Sequence, residues 1–519
     1  MRQESGMLAL RERVLDVEDV LVSDVRSILY SNRLDVERCV RLHNYLAARA
    51  WMAKRQKGPG DLHELFHRPS YLEYFERGNN GNKGGNIRAL LHPDVVLFLE
   101  SIIFLGIHEE DDPYLFLWVS GIEIPSFLAE ASKTFLDDQL EIDGKPRFIT
   151  LYSTIAGVGH GIGVVYDQLR HQVSFPYTGN SLEFVSPVVE HEEMWFPLEV
   201  LLSNWINLIH LGKIIPQAQP SRPSAAQGVW NWKSYSPLQV DSAVAAFARL
   251  TEAIESRMPA GSLLTPERES PLLTVAQLDA ACVPENCFIR SFLTKVETPR
   301  FSTIAPGLEV THDAMLFAKQ QTFTKIASGS SDENSKSTIP PILLFAATEK
   351  SRKARLGDDS TSRFLELLQH NVHPPKTSSR ISISNFVNWF SLNPVREYTV
   401  PAGLYTEAVD RDCIGSAEEG FRLLLPYPMR LDYTWTGPRM SDGSLVEAGS
   451  SSELFQHGHF FPFGGDHRAQ RLERLLDRWR ELVEQGIWKV GSTGVEGSID
   501  MFRDAEGSGW RHYWIPPDW

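Results

Sequence analysis

The chain has 519 residues, 42% apolar and 23% charged. That is close to the globular average, which allows a sizeable core and excludes disorder along the whole length. Lys and Arg number 51 against 66 Asp and Glu, a formal charge of −15. This excludes coating of a DNA duplex, which needs a broad basic surface, but not a local grip on one end of an RNA.

In chain order, residues 1 to about 56 read as helices. Val14, Val17, Val20 and Leu21 recur at helical spacing, as do Cys39, Leu42, Leu46 and Ala50. Gly58, Pro59 and Gly60 break the pattern, and residues 77–86 form a polar, glycine-rich loop. His92-Pro93-Asp94 then starts a helix over 95–105, with Pro93 at a favoured first-turn position. His-x-Asp is also two-thirds of an iron-binding triad, but such ligands normally sit on strands, so a helix start is the expected reading.

Residues 114–124 read as a strand. Pro125 and Ser126 begin a helix predicted to run to about Glu141, Asp143-Gly144 turns the chain, and 147–153 is a second strand. Strand, helix, strand is the usual sign of a parallel α/β sheet. Two linkers, 216–224 and 327–341, are rich in proline or serine. They divide the chain into about 1–215, 225–326 and 342–519; by element pattern the regions expected are a helical N-terminal region (1–86), a central α/β region (87–326) and a C-terminal α+β region (342–519). Residues 341–347 read as a buried strand followed by a basic helix start, and 469–485 as an amphipathic helix carrying Leu472, Leu475, Leu476, Trp479 and Leu482. The aromatic C-terminus, with Trp510, Tyr513, Trp514 and Trp519, reads as a packed cap.

The apolar stretches 95–105 and 114–124 are too short to span a bilayer. Residues 1–13 carry charges of both signs and no apolar run of signal-peptide length. A cytoplasmic protein without a membrane partner is expected. The four cysteines, Cys39, Cys282, Cys287 and Cys413, are scattered, so neither a disulfide framework nor a four-ligand zinc site is expected.

The sharpest chemical feature is Asp137-Asp138-Gln139-Leu140-Glu141. On the predicted helix, Asp137 and Glu141 share a face and Asp138 approaches Glu141. Like charges repel there, and each acid at a helix C-terminus costs roughly 0.3–1 kcal/mol. A cost without local compensation points to a bound cation: a metal, an ammonium, or a guanidinium, which a carboxylate holds bidentately.

The D-D-x-x-E string, the length and the lack of a common cofactor fingerprint resemble the fungal arginine-containing cyclodipeptide synthases. Their essential motif falls on Asp137, Asp138 and Glu141. The resemblance implies a Rossmann-like core and an aminoacyltransferase that joins arginyl-tRNA to a second aminoacyl-tRNA, giving a diketopiperazine for secondary metabolism. It implies no cofactor, since the tRNA ester is already activated, and a serine that carries the first aminoacyl group. Ser153, which with Thr154 follows the 147–152 strand, is the first candidate carrier, and Ser351 holds a similar place after 341–347. Lys350, Arg352, Lys353 and Arg355 lie in the densest basic run of the chain and are candidates for tRNA phosphates.

Alternatives stay open. Asp358-Asp359-Ser360-Thr361-Ser362-Arg363-Phe364-Leu365-Glu366 resembles the second magnesium motif of terpene cyclases, an all-helical family. Gly157 to Gly163 lacks a full dinucleotide fingerprint. His457, His459, Asp466 and His467 could hold a metal, although the aromatic and glycine residues between them favour a packed loop. A non-catalytic binding protein, with solvated acids, is the remaining class.

Overall fold

The computed structural model describes residues 14–23, 33–77, 87–106, 113–129, 141–155, 163–175, 194–218, 226–265, 267–268, 271–328, 338–348, 353–356, 398–411, 415–430, 437–446, 449–458 and 469–518. They form a mixed α/β protein with a first unit reaching Lys233 and a second taking most of the chain from Ser234 on.

In the first unit, helix α1 (Val36–Arg55) starts where the Asp35 carboxylate accepts from the Arg38 amide at 3.2 Å. It stops where Gln56 turns left-handed at φ 53°. The predicted stripe of Cys39, Leu42, Leu46 and Ala50 is buried. Residues 14–21 form turns rather than a helix, although Val14, Val17 and Leu21 are buried. Helix α2 (Pro93–Ser101) begins as the sequence predicts, with His92 as its N-cap and Pro93 in the first turn. Both α2 and α3 (Leu198–His210) pack on α1.

The strands of this unit are β1 (Val119–Ile122), β2 (Glu141–Ile142), β3 (Lys145–Pro146), β4 (Phe148–Thr154), β5 (Val164–Asp167), β6 (Gln172–Ser174) and β7 (Phe196–Pro197). Strands β1, β4, β5, β6 and β7 form one sheet in that order, antiparallel at every step. Gly163, at φ 98°, leads into β5 so close to β4 that a Cβ there would lie 2.2 Å from the Tyr152 carbonyl oxygen. A smaller antiparallel sheet joins β8 (Ile214–Pro216), β9 (Ala226–Gln227) and β10 (Trp230–Trp232). Phe116 stacks on Trp205 at 5.0 Å and meets Trp230 edge-on at 5.2 Å. Each such buried side chain contributes roughly 1.5–3 kcal/mol.

The second unit is built on a seven-stranded sheet. Its strands are β11 (Thr303–Ala305), β12 (Leu308–Val310), β14 (Leu343–Ala347), β17 (Gly403–Thr406), β19 (Phe421–Leu424), β20 (Val490–Gly491) and β21 (Gly494–Val495). Strands β13 (Thr338–Ile339) and β18 (Val409–Asp410) pair separately, as do β15 (Lys353–Leu356) and β16 (Tyr398–Pro401). Strand β12 pairs with β14, so one sheet spans the 327–341 segment. Helix α4 (Pro237–Glu255) opens with a Ser236/Gln239 capping box and packs along α5 (Leu472–Glu484). The five residues predicted for the core face of α5 are all buried.

Two expectations are corrected. The described strands do not make the parallel, Rossmann-like core: the only parallel pair among them is β11 with β21. Of the helix expected over 125–141, residues 130–140 lie outside the described residues, and the described residues at its two ends are not helical. The Ile124 carbonyl takes the Phe127 and Leu128 amides in a single turn, Phe127 is exposed, and Glu141 stands on a strand.

His43, buried on α1, sits between the Tyr152 hydroxyl (Nδ1, 3.0 Å) and the Ile103 carbonyl (Nε2, 3.1 Å). Burial lowers its pKa from 6.5 to about 4, against the pull of the Ile103 carbonyl. Because the folded value lies below the unfolded one, stability is full above about 6.5 and is lost as pH falls toward 4, by up to about 3 kcal/mol. We expect its imidazole NMR signal, assigned by its loss in His43→Gln, to stay neutral at pH 5. Titration of that signal near 6.5 would contradict this.

Candidate functional site

Glu141 opens the hairpin of β2 and β3, pairing with Pro146 as Ile142 pairs with Lys145. Asp143 (φ 51°) and Gly144 (φ 74°) form its two-residue turn, both left-handed, as an Asp-Gly hairpin requires. The Glu141 side chain is exposed and makes no ion pair among the described residues. Asp137 and Asp138 lie outside the described residues. Opposite Glu141, the hairpin is tied down. Lys145 Nζ donates to the Leu91 carbonyl at 2.7 Å, and Gln168 Nε2 donates to the Pro146 carbonyl at 2.6 Å and the Leu90 carbonyl at 3.0 Å. The same Gln168 accepts the His92 amide at 2.6 Å. The last acid of the D-D-x-x-E string therefore opens a hairpin bonded to the loop that carries His92.

That loop leads to a cluster the sequence showed only in part. His92, Asp94 and His171 each offer a ligand atom, and the three atoms lie within 4.8 Å of one another. His92 Nδ1 accepts from the Asp94 amide at 3.3 Å and lies 3.8 Å from Asp94 Oδ2. The His92 and His171 rings meet edge-on at 4.6 Å. His171 Nδ1 is 2.8 Å from the Tyr166 hydroxyl. Burial, then His92 beside it, lowers the His171 pKa, while Asp94 and Asp167 oppose the shift. The imidazole is therefore neutral at pH 7, the state that ligates a metal.

His171 is placed by the turn between β5 and β6. Its amide donates to the Asp167 carbonyl at 2.8 Å, and its backbone is left-handed, at φ 56°. The Asp167 carboxylate accepts from the Leu169 and Arg170 amides at 2.8 and 3.3 Å. It also takes Arg147 Nη2 at 3.0 Å and Arg147 Nε at 3.2 Å, and both partners are buried.

Ser153 lies within β4 rather than after it. Its Oγ is 2.6 Å from Ser120 Oγ and 3.3 Å from the Gly121 carbonyl, so it bridges to β1. No base contacts it among the described residues. Gly121 also lines a small recess with His43, Leu105, Leu115 and Ile122.

Lys353 and Arg355 belong to the second unit, on β15 instead of the predicted helix. Lys350, Ser351 and Arg352 lie outside the described residues, as do 357–397 with the second acidic string, and His459, Asp466 and His467. Cys39, Cys282 and Cys287 are free thiols. The structure thus brings Glu141 into the same hydrogen-bonded neighbourhood as the His92 loop. Sequence reading singled out His92 and Asp94 and missed His171, whose only local signal is a histidine four residues after an aspartate at a strand end.

No family model, no curated protein and no solved structure matches this chain.

Proposed function

We propose that the protein is an aminoacyltransferase, a cyclodipeptide synthase condensing arginyl-tRNA with a second aminoacyl-tRNA into an arginine-containing diketopiperazine for secondary metabolism. The observation that carries this reading is the Asp137-Asp138-Gln139-Leu140-Glu141 string, whose final acid is exposed and meets no cation among the described residues. An unpaired carboxylate suits a guanidinium, or takes the proton of an attacking amine. The tRNA ester supplies the activation, so the reading requires no ATP. The basic run from Lys350 to Arg355 supplies charge for tRNA phosphates. No helix among the described residues is long and apolar enough to cross a membrane, in keeping with cytoplasmic tRNA substrates.

A mixed α/β fold disfavours the all-helical terpene cyclase alternative, and no observation favours a purely non-catalytic protein. The test is incubation of the full-length protein with arginyl-tRNA and a mixture of other charged tRNAs, followed by mass analysis. Arginine diketopiperazines are expected; their absence overturns the reading.

A further inference from the structure

We propose that His92, Asp94 and His171 form a binding site for one divalent first-row transition-metal ion. The inference stands apart from the aminoacyl-transfer reading. Two imidazoles and one carboxylate are a donor set for zinc, iron, cobalt or nickel rather than for calcium or magnesium, which prefer oxygen alone. Three protein ligands leave further coordination positions open, the pattern of sites that bind water or substrate on the metal.

The surroundings are those of ligands held for a purpose. A metal-bound histidine usually donates its other ring N–H to an oxygen, which fixes the ring and its tautomer. The Tyr166 hydroxyl, 2.8 Å from His171 Nδ1, takes that place and leaves Nε2 to face the ion. His171 keeps a left-handed backbone, a strained conformation that persists only where its surroundings hold it. Those surroundings are the Asp167 turn and its buried Arg147 partner. Gln168, next to Asp167 in that turn, holds the His92 amide, so both ligand-bearing segments share one hydrogen-bonded frame.

His171 is buried, whereas the His92 and Asp94 side chains are 39% and 28% exposed, leaving one side open for an ion to enter. Metal–ligand bonds of about 2.0–2.1 Å place tetrahedral ligand atoms about 3.3 Å apart. Closing the present spread of up to 4.8 Å requires only small movements of the two half-buried side chains.

The test uses the full-length protein, stripped with a chelator and dialysed to equilibrium against Zn(II) or Co(II), with bound metal counted by elemental mass spectrometry. We expect about one ion per chain, bound at least ~100-fold more weakly by Asp94→Asn and by His171→Asn, and about 10-fold more weakly by Tyr166→Phe. Asparagine tolerates the left-handed backbone at 171, and circular dichroism checks that each variant folds. No uptake by the wild-type chain overturns the proposal and leaves His92 as a helix cap only. Unchanged uptake by both ligand variants also overturns it.

Discussion

Asp167→Asn is expected to destabilise the first unit by about 3–5 kcal/mol, the cost of leaving one member of a buried ion pair without its partner. Arg147, between β3 and β4, and Asp167, at the end of β5, are 4% and 0% exposed, and no solvent screens the cation left behind. Asparagine keeps one oxygen for the Leu169 amide but cannot match the guanidinium with two anionic oxygens. Replacing both partners, as Arg147→Met with Asp167→Leu, is expected to recover part of the loss, because an apolar pair removes the stranded charge. It does not recover the Asp167 turn that positions His171, so metal uptake remains weak in the double variant. Urea unfolding followed by circular dichroism checks this. A single variant that unfolds at the wild-type midpoint contradicts the buried pair.

Asp138→Asn and Glu141→Gln are each expected to reduce diketopiperazine formation at least ~100-fold while the chain stays folded. Loss of a positioned proton acceptor costs roughly 10²–10⁴ in rate. Glu141 is exposed, so its substitution changes stability by no more than about 0.5 kcal/mol. A loss of product in Glu141→Gln is therefore a loss of chemistry or binding, not of folding. Product analysis beside an unchanged melting curve separates the two, and full activity in both variants removes the functional reading of the string.

Much of the helical structure was legible in the sequence because helical periodicity is local. The stripe from Cys39 to Ala50 and the α5 face from Leu472 to Leu482 are both found buried. The Asp143-Gly144 turn was equally readable, because Asp-Gly suits two left-handed residues, although it joins two strands rather than a helix and a strand. Strand direction was not legible. A parallel pair needs a crossover, and the segment 125–141 between the two predicted strands was read as a crossover helix. Yet Phe127 is exposed, and β1 pairs antiparallel with β4. The proposed metal-binding cluster was half-visible, since His92-x-Asp94 reads as a helix start and is one. Its third member arrives through a distant hairpin turn, a relation no local pattern carries. Ser153 shows the same limit: its place near a strand end was read correctly, but its cross-strand bond to Ser120 depends on pairing.

The most direct measurement of the central claim, that the acidic string recognises a positively charged amino acid, compares arginine with neutral citrulline charged on the same tRNA. Citrulline keeps the length and most of the shape of the side chain and removes its charge. The account predicts that arginine enters cyclic product at least ~100-fold faster, as expected when a carboxylate bound to the substrate loses its charge-assisted partner. Equal incorporation of the two, or incorporation of neither, contradicts it.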